Sequence, residues 1–465
     1  MMNRRRFLKA AGMCSLSLAL PPFIWKQNAF AALPDNLNYV APAMIPQIIH
    51  VFLYGGPSEL AGNLTNIAEI DANSQNPYPA SLDPNNANND ITRNNFWGSA
   101  GGDIMEALLA NGEMSLYRTI NRIKDDSKAH GRSISQNLVG NLNLANAGIA
   151  TTLAAILDKF NPFGKAVDEL LLPFVTFEGD SRIFSRGDLD IPLALRPLAL
   201  DANFNNPYSR AENNFLDINN DNTNDQKLEE LAQARSNLFP QFEKVNDAFI
   251  KRAELADFID SSFNSEKIIE DLPVDPDTGQ RIQYPPGNFG TRLLAAVSLA
   301  IKNPETVFIS LGSGGLGGWD DHSDSLSRYP NRFQRLMEAL QAASRHLALM
   351  DANNIVINVF GDFGRNVNVN DSNGWDHGNN QNLYTIGGAD IAGRALGKLV
   401  GKTQRIGTPF QNRQFTSPTS DSYQCEPFAI ASSFYKYFGV QNPELLTGEP
   451  AIDESNNVAN ELVQA

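Results

Sequence analysis

The chain has 465 residues, 42% of them hydrophobic and 19% charged, with a formal net charge of −15. This balance supports a large buried core and excludes a disordered or fibrous chain. An acidic surface of this size repels nucleic acid and anionic membranes, so neither is an expected partner.

At the N-terminus, Arg4-Arg5-Arg6-Phe7-Leu8-Lys9 fits the pattern of two arginines, any residue, then Phe-Leu-Lys. A moderately apolar stretch follows over residues 10–25, and Ala29-Phe30-Ala31 forms a small-x-small cleavage site. Residues 1–31 therefore read as a twin-arginine signal, which the twin-arginine export machinery would carry, with a folded protein, to the periplasm or beyond. The apolar stretch is too short and too broken by proline to remain as an integral membrane anchor. Cleavage would remove five basic residues and no acidic one, which takes the charge from −15 to −20. Cys425 would then be the one cysteine left, so no internal disulfide is expected, and it reads as a small buried residue rather than a nucleophile.

Residues 32–465 read as a single α/β domain. The continuous apolar run at 47–54, stopped by Gly55-Gly56-Pro57, predicts a buried parallel strand. Residues 62–98 are rich in asparagine, proline and serine and read as a surface loop too polar to pack, and 203–225 reads as a second one. Helical spacing recurs over 144–160 and 227–263, with a short strand at 174–177. A regular alternation follows: helix 292–301, strand 306–311, helix 326–350, strand 355–360. Phe333, Leu336, Met337, Leu340, Ala343, Leu347 and Met350 form one apolar stripe on the last helix. Strand, helix, strand at this spacing is a right-handed crossover between parallel strands.

Each strand runs into a polar, glycine-rich segment: Gly55-Gly56-Pro57-Ser58-Glu59, then "GSGGLGGWDDHSDS" at 312–325, then "GDFGR" at 361–365 with "WDHG" at 375–378. Ligands of open α/β sheets bind at the carboxyl ends of the strands, so these segments should converge. Asp320, Asp321, His322, Asp362, Asp376 and His377 would supply a mixed oxygen and nitrogen shell suited to a divalent metal, whether zinc, manganese or iron. Arg365 could neutralise an oxyanion. An isolated Asp-His pair is more often a helix cap or an internal hydrogen bond than a ligand pair, but two pairs at successive strand ends, joined by Asp362, strengthen the case for a metal.

The other histidines read differently: His50 as a packed strand residue, His346 as a solvent-facing or boundary residue of a helix, and His130 as ambiguous, lying beside Arg132, Ser133 and Ser135. Asp217-x-Asn219-x-Asp221 and Asp275-x-Asp277-x-Gly279 resemble the start of calcium loops but lack the downstream acid, and read as Asx turns. Nucleotide-binding glycine loops, the Gly-x-Ser-x-Gly elbow and cysteine zinc patterns are absent.

The ordered set of twin-arginine signal, "GGPSEL", "GGWDDH", "GDFGR" and "WDHG" resembles the exported family known as domain of unknown function 1501, grouped with the alkaline phosphatase and sulfatase superfamily. The resemblance implies an alkaline-phosphatase-like three-layer α/β sandwich, a central mostly parallel sheet with helices on both faces. It implies that Asp320 and His322 match a Trp-Asp-x-His motif, that Asp362 stands where glutamate is usual before Phe-Gly-Arg, and that Asp376 and His377 match an Asp-His-Gly motif. Where relatives follow the first strand with aspartates, this chain has Ala61, Gly62, Asn63 and Leu64, which leaves Glu59 as the one replacement at hand. The expectation is an exported metal-dependent hydrolase of a small-molecule or glycan phosphate or sulfate ester, with Ser58 as nucleophile. The rival expectation is a non-catalytic periplasmic binding or assembly protein that keeps the fold.

Overall fold

The computed structural model describes residues 33–200, 223–239, 243–407, 416–454 and 458–463. The expected signal at 1–31, the Asp217 motif and most of the second polar loop lie outside these residues.

The centre is an eight-stranded sheet of β1 (Gln47–Leu53), β2 (Met114–Asn121), β3 (Phe174–Thr176), β4 (Leu198–Ala199), β5 (Phe308–Gly312), β6 (Ile355–Gly361), β7 (Asn380–Gly387) and β8 (Leu399–Val400), in the order β4-β3-β5-β1-β6-β7-β2-β8. Only β7 runs against its neighbours, β6 and β2; every other adjacent pair is parallel. β1 lies between β5 and β6, with Phe52 opposite both Gly312 and Phe360, so the segments leaving these three strands start side by side.

Helices cover both faces, among them α1 (His130–Val139), α2 (Ile149–Phe160), α3 (Asn288–Lys302), α4 (Ser325–Leu349) and α5 (Phe428–Tyr437). Alternate residues of β1 divide between two cores, as the period of two in a strand requires. Ile49, Val51 and Leu53 pack with Leu293 and Val297 of α3 and Phe333, Leu336 and Leu340 of α4. Ile48 and Phe52 pack with Leu153 and Ile156 of α2 and Ile430 and Phe434 of α5. The architecture is therefore a mixed α/β protein with a mostly parallel sheet between two helical layers.

The elements expected at 47–54, 174–177, 306–311, 326–350 and 355–360 all form, with ends shifted by two residues or fewer. The helical stretch at 227–263 divides into Thr223–Leu238 and Glu243–Ser262. Among the described residues, no helix is long and apolar enough to cross a membrane.

Two expectations are corrected. The 62–98 segment is packed rather than loose, because Leu64, Ile67, Ile70, Tyr78, Leu82, Phe96 and Trp97 recur along it and are all buried in the core beside α4. Its asparagines serve local backbone: Asn73 and Asn86 donate to carbonyls of Glu69 and Ala80. His346 is buried at 3% exposure, with its Nδ1 3.1 Å from the Tyr284 hydroxyl.

Candidate metal centre

The strand-end segments are joined by backbone hydrogen bonds. Trp319 N–H donates to Tyr54 C=O at 3.2 Å, Trp375 N–H to Asp321 C=O at 2.7 Å, and Asn366 N–H to Asp376 C=O at 2.7 Å. Trp319 and Trp375 are fully buried and anchor the segments in the core beneath. Gly55 has φ of 115°, and a Cβ there would lie 2.5 Å from the Asp320 nitrogen, so only glycine lets the first segment approach the second this closely.

Above these contacts, His130, Asp320, His322 and His377 each present a ligand atom, all within 4.8 Å of one another. Asp320 Oδ1 is 3.0 Å from His322 Nε2, 3.3 Å from His130 Nε2 and 3.5 Å from His377 Nε2. His322 Nε2 and His377 Nε2 are 2.9 Å apart. His130, at the first position of α1, arrives from a different layer of the chain.

Every imidazole is held by its other nitrogen. His130 Nδ1 lies 2.6 Å from Asp362 Oδ2, His377 Nδ1 2.6 Å from the Lys128 carbonyl, and His322 Nδ1 3.3 Å from Asp376 Oδ1. An oxygen acceptor at Nδ1 fixes the proton there and leaves the Nε2 lone pair facing inward. Three such lone pairs and one carboxylate oxygen make a donor set of the N₃O type, which suits zinc, iron(II) or manganese. The His130 Nε2 is buried and has no hydrogen-bond partner, as expected of an atom that awaits a cation.

Local electrostatics prepare the donors. Burial pushes the Asp320 carboxyl up, but the hydrogen bond and charge of Arg365, with His130 and His322, outweigh it and hold the group below the usual carboxylate range. Burial and then the Arg365 charge lower His377, which keeps this ring neutral. The hydrogen bond to Asp362 raises His130 against the effect of burial.

Of the residues singled out from the sequence, Asp320, His322 and His377 stand in the cluster, whereas Asp362 and Asp376 stand one hydrogen bond outside it, each on the back of a histidine. Asp362 is fully buried and also accepts the Gly55 N–H at 3.2 Å. Asp321 is 2% exposed and turned toward Arg332. Arg365 is committed to structure: Nε donates to Gly56 C=O at 2.7 Å, Nη1 to Trp375 C=O at 3.1 Å, and Nη2 to Asp320 Oδ1 at 2.6 Å and to the Gly55 and Trp319 carbonyls. With its side chain wholly buried, it clamps the strand-end segments together.

Ser58 is buried, with its Oγ accepting the Leu60 N–H at 3.2 Å. Glu59 does not replace the absent aspartates, because its carboxyl is fully buried and bonded to Thr416 and to Asn380 Nδ2. Burial raises its pKa well above the ordinary value, opposed by the Asn380 bond.

His130 is the residue that sequence reasoning left unassigned. Its "AHG" setting has no directly adjacent aspartate, and its partner Asp362 is 232 positions away. The available signal was scarcity: three of the chain's five histidines meet at this one point.

A mixed α/β protein with a histidine and aspartate cluster at the carboxyl edge of its sheet is the class that fold and site define. A family model described as a protein of unknown function (DUF1501) matches residues 195–422, which include Asp320, His322, Asp362, Arg365, Asp376 and His377, and the chain belongs to that family. No curated protein matches the chain.

Proposed function

We propose that this is an exported metal-dependent hydrolase of phosphate or sulfate esters, with His130, Asp320, His322 and His377 holding the metal. The observation that carries this reading is the convergence of three Nε2 atoms, each oriented by an oxygen at Nδ1, upon one ionised carboxylate. A bound divalent ion would polarise a phosphoryl or sulfuryl oxygen. The chain's own residues define the approach: Asp320 and His322 have side chains 49% and 46% exposed, whereas His130 and His377 form the deeper wall. A substrate oxygen would therefore arrive over Asp320 and His322. No covalent step is assigned to Ser58, whose hydroxyl is buried and engaged; water from the open side is the nucleophile in this scheme. The mostly parallel sheet with a strand-end metal site supports an alkaline-phosphatase-like fold, and the twin-arginine pattern supports export to the periplasm or beyond.

The donor count separates this from a second reading. Four protein donors close a zinc tetrahedron but leave positions open on manganese or iron(II), which take five or six ligands. The enzyme reading therefore goes with manganese or iron(II). A closed zinc site, together with a buried, engaged Glu59 and a committed Arg365, would favour the non-catalytic binding or assembly protein.

The test is elemental analysis of protein purified without added metal or chelator, alongside hydrolysis of 4-nitrophenyl phosphate and 4-nitrophenyl sulfate. About one manganese or iron per chain, lost in His130→Ala and Asp320→Ala together with hydrolysis, is expected. Zinc without hydrolysis moves the protein to the second reading, and no metal in the unaltered protein overturns the hydrolase reading.

A further inference from the structure

Beside the metal cluster lies a cavity of about 720 Å³, lined by Gly317, Gly318, Asp320 and Asp321 on one wall and by Ser327, Arg328, Asn331, Arg332 and Arg335 of α4 on the other. Asp320 therefore belongs both to the cluster and to this cavity. Arg328, Arg332 and Arg335 fall at i, i+4 and i+7, one face of the helix. At 1.5 Å per residue they span about 10 Å along its axis.

A concentration of arginine is unexpected on a chain with a net charge of −15, whose general field repels anions. The charge balance within the cavity is positive. Asp321 is paired with Arg332, which also lies over the Trp319 ring at 5.3 Å, and Asp320 is paired with Arg365. Arg328 meets only backbone carbonyls, those of Ser323 and Asp324. Arg335 has no side-chain partner among the described residues. Two exposed guanidinium groups are thus left uncompensated within a helical turn or two of the cluster, each suited to bidentate contact with an oxyanion.

Resting on the hydrolase reading above, we propose that this cavity is a substrate subsite for a polyanionic sugar, whose ester to be cleaved lies at the cluster and whose further negative groups, sulfates or phosphates, lie on Arg328 and Arg335. The spacing of the arginines matches negative groups about 5 to 10 Å apart along a sugar. Ser327 and Asn331, on the same wall, can bond the hydroxyls between them.

The experiment is calorimetric titration of the whole protein with sucrose octasulfate and with inositol hexakisphosphate, at low and high salt. Three forms are compared: the unaltered chain, Arg328→Gln/Arg335→Gln, and His322→Ala. Lys267→Gln, an exposed lysine elsewhere, controls for diffuse charge. The double arginine variant should bind at least tenfold more weakly with its metal content unchanged, and Lys267→Gln should bind as the unaltered chain does. His322→Ala should keep an affinity that still depends on the two arginines. Which probe loses more on removal of the arginines identifies sulfate or phosphate as the preferred group. Equal affinity in the arginine variant and the unaltered chain, or an equal loss in Lys267→Gln, overturns the subsite. Loss of metal in His322→Ala without loss of hydrolysis overturns the metal-dependent hydrolase reading and leaves the subsite standing as a binding site.

Discussion

His322 Nε2 faces His377 Nε2 at 2.9 Å, while each ring gives its Nδ1 to an oxygen acceptor, Asp376 and the Lys128 carbonyl respectively. Two inward lone pairs at that distance repel unless a proton or a cation lies between them. A metal bound by both nitrogens would remove that repulsion and stabilise the folded protein. Titrating metal-free protein with manganese, iron(II) or zinc should raise its melting temperature. A concentration 100 times the dissociation constant adds about 2.7 kcal/mol. His377→Ala should remove the rise; an equal rise in that variant would place the metal elsewhere.

Asp362 touches the metal site only through His130, at 2.6 Å from Nδ1, and is itself fully buried. Asp362→Asn keeps the volume but weakens the acceptor that orients the ring. Metal affinity should fall roughly 10- to 100-fold, the usual effect of losing such an orienting carboxylate. Competition against a chromophoric chelator measures it. Unchanged affinity in a folded variant would show that α1 alone fixes the imidazole.

Arg365 should behave as a structural clamp. Arg365→Lys retains the charge but cannot donate at once to the Gly55, Gly56, Trp319 and Trp375 carbonyls and to Asp320. Buried acceptors left without donors cost about 1–3 kcal/mol each, tempered by relaxation, so urea denaturation should show a loss on the order of 3 kcal/mol. A stable variant that fails only in hydrolysis would return Arg365 to the anion-binding role expected from sequence.

The parts of the fold that were legible are those where local chemistry and burial agree. β1, β5 and β6 are continuous apolar runs because both faces are covered, and α4 carries one stripe because only one of its faces meets the sheet. β7 was hidden because Asn380, Gln381, Asn382 and Thr385 are polar yet buried, and neighbours supply part of their hydrogen bonding: Asn380 Nδ2 donates to Glu59 Oε2 and the Arg118 carbonyl, and Asn382 Nδ2 to the Glu59 carbonyl. Such compensation is a property of the assembled sheet and leaves no local pattern. The same holds at the site. Asp320, His322 and His377 announce themselves through adjacent motifs, whereas His130 enters through α1 and the outward roles of Asp362 and Asp376 depend on which histidine nitrogen each one meets. Cys425, expected to be buried, is only partly so: it packs at the edge of the second core, and the burial of its thiol pushes its pKa up to about 12.

His50 makes the protein acid-sensitive by a route separate from the metal site. It sits at the centre of the sheet, fully buried, with both ring nitrogens unpartnered and Phe52, Phe308, Phe360 and Phe434 around it. Burial lowers its pKa from 6.5 to about 3. Between those values the unfolded chain takes up a proton that the folded chain refuses, so stability falls as pH drops, by about 1.4 kcal/mol per unit once well below 6.5. His346, lowered by burial to about 4, adds a term of the same sign. His50→Leu retains an apolar fit without a titrating group and leaves His346 and the carboxylates unchanged. Denaturant unfolding at pH 7 and pH 5 should therefore show a loss of stability smaller by about 2 kcal/mol in the variant than in the unaltered chain. An identical pH dependence in the two proteins would mean that His50 is reached by water or finds a partner within the sheet, contrary to its packing.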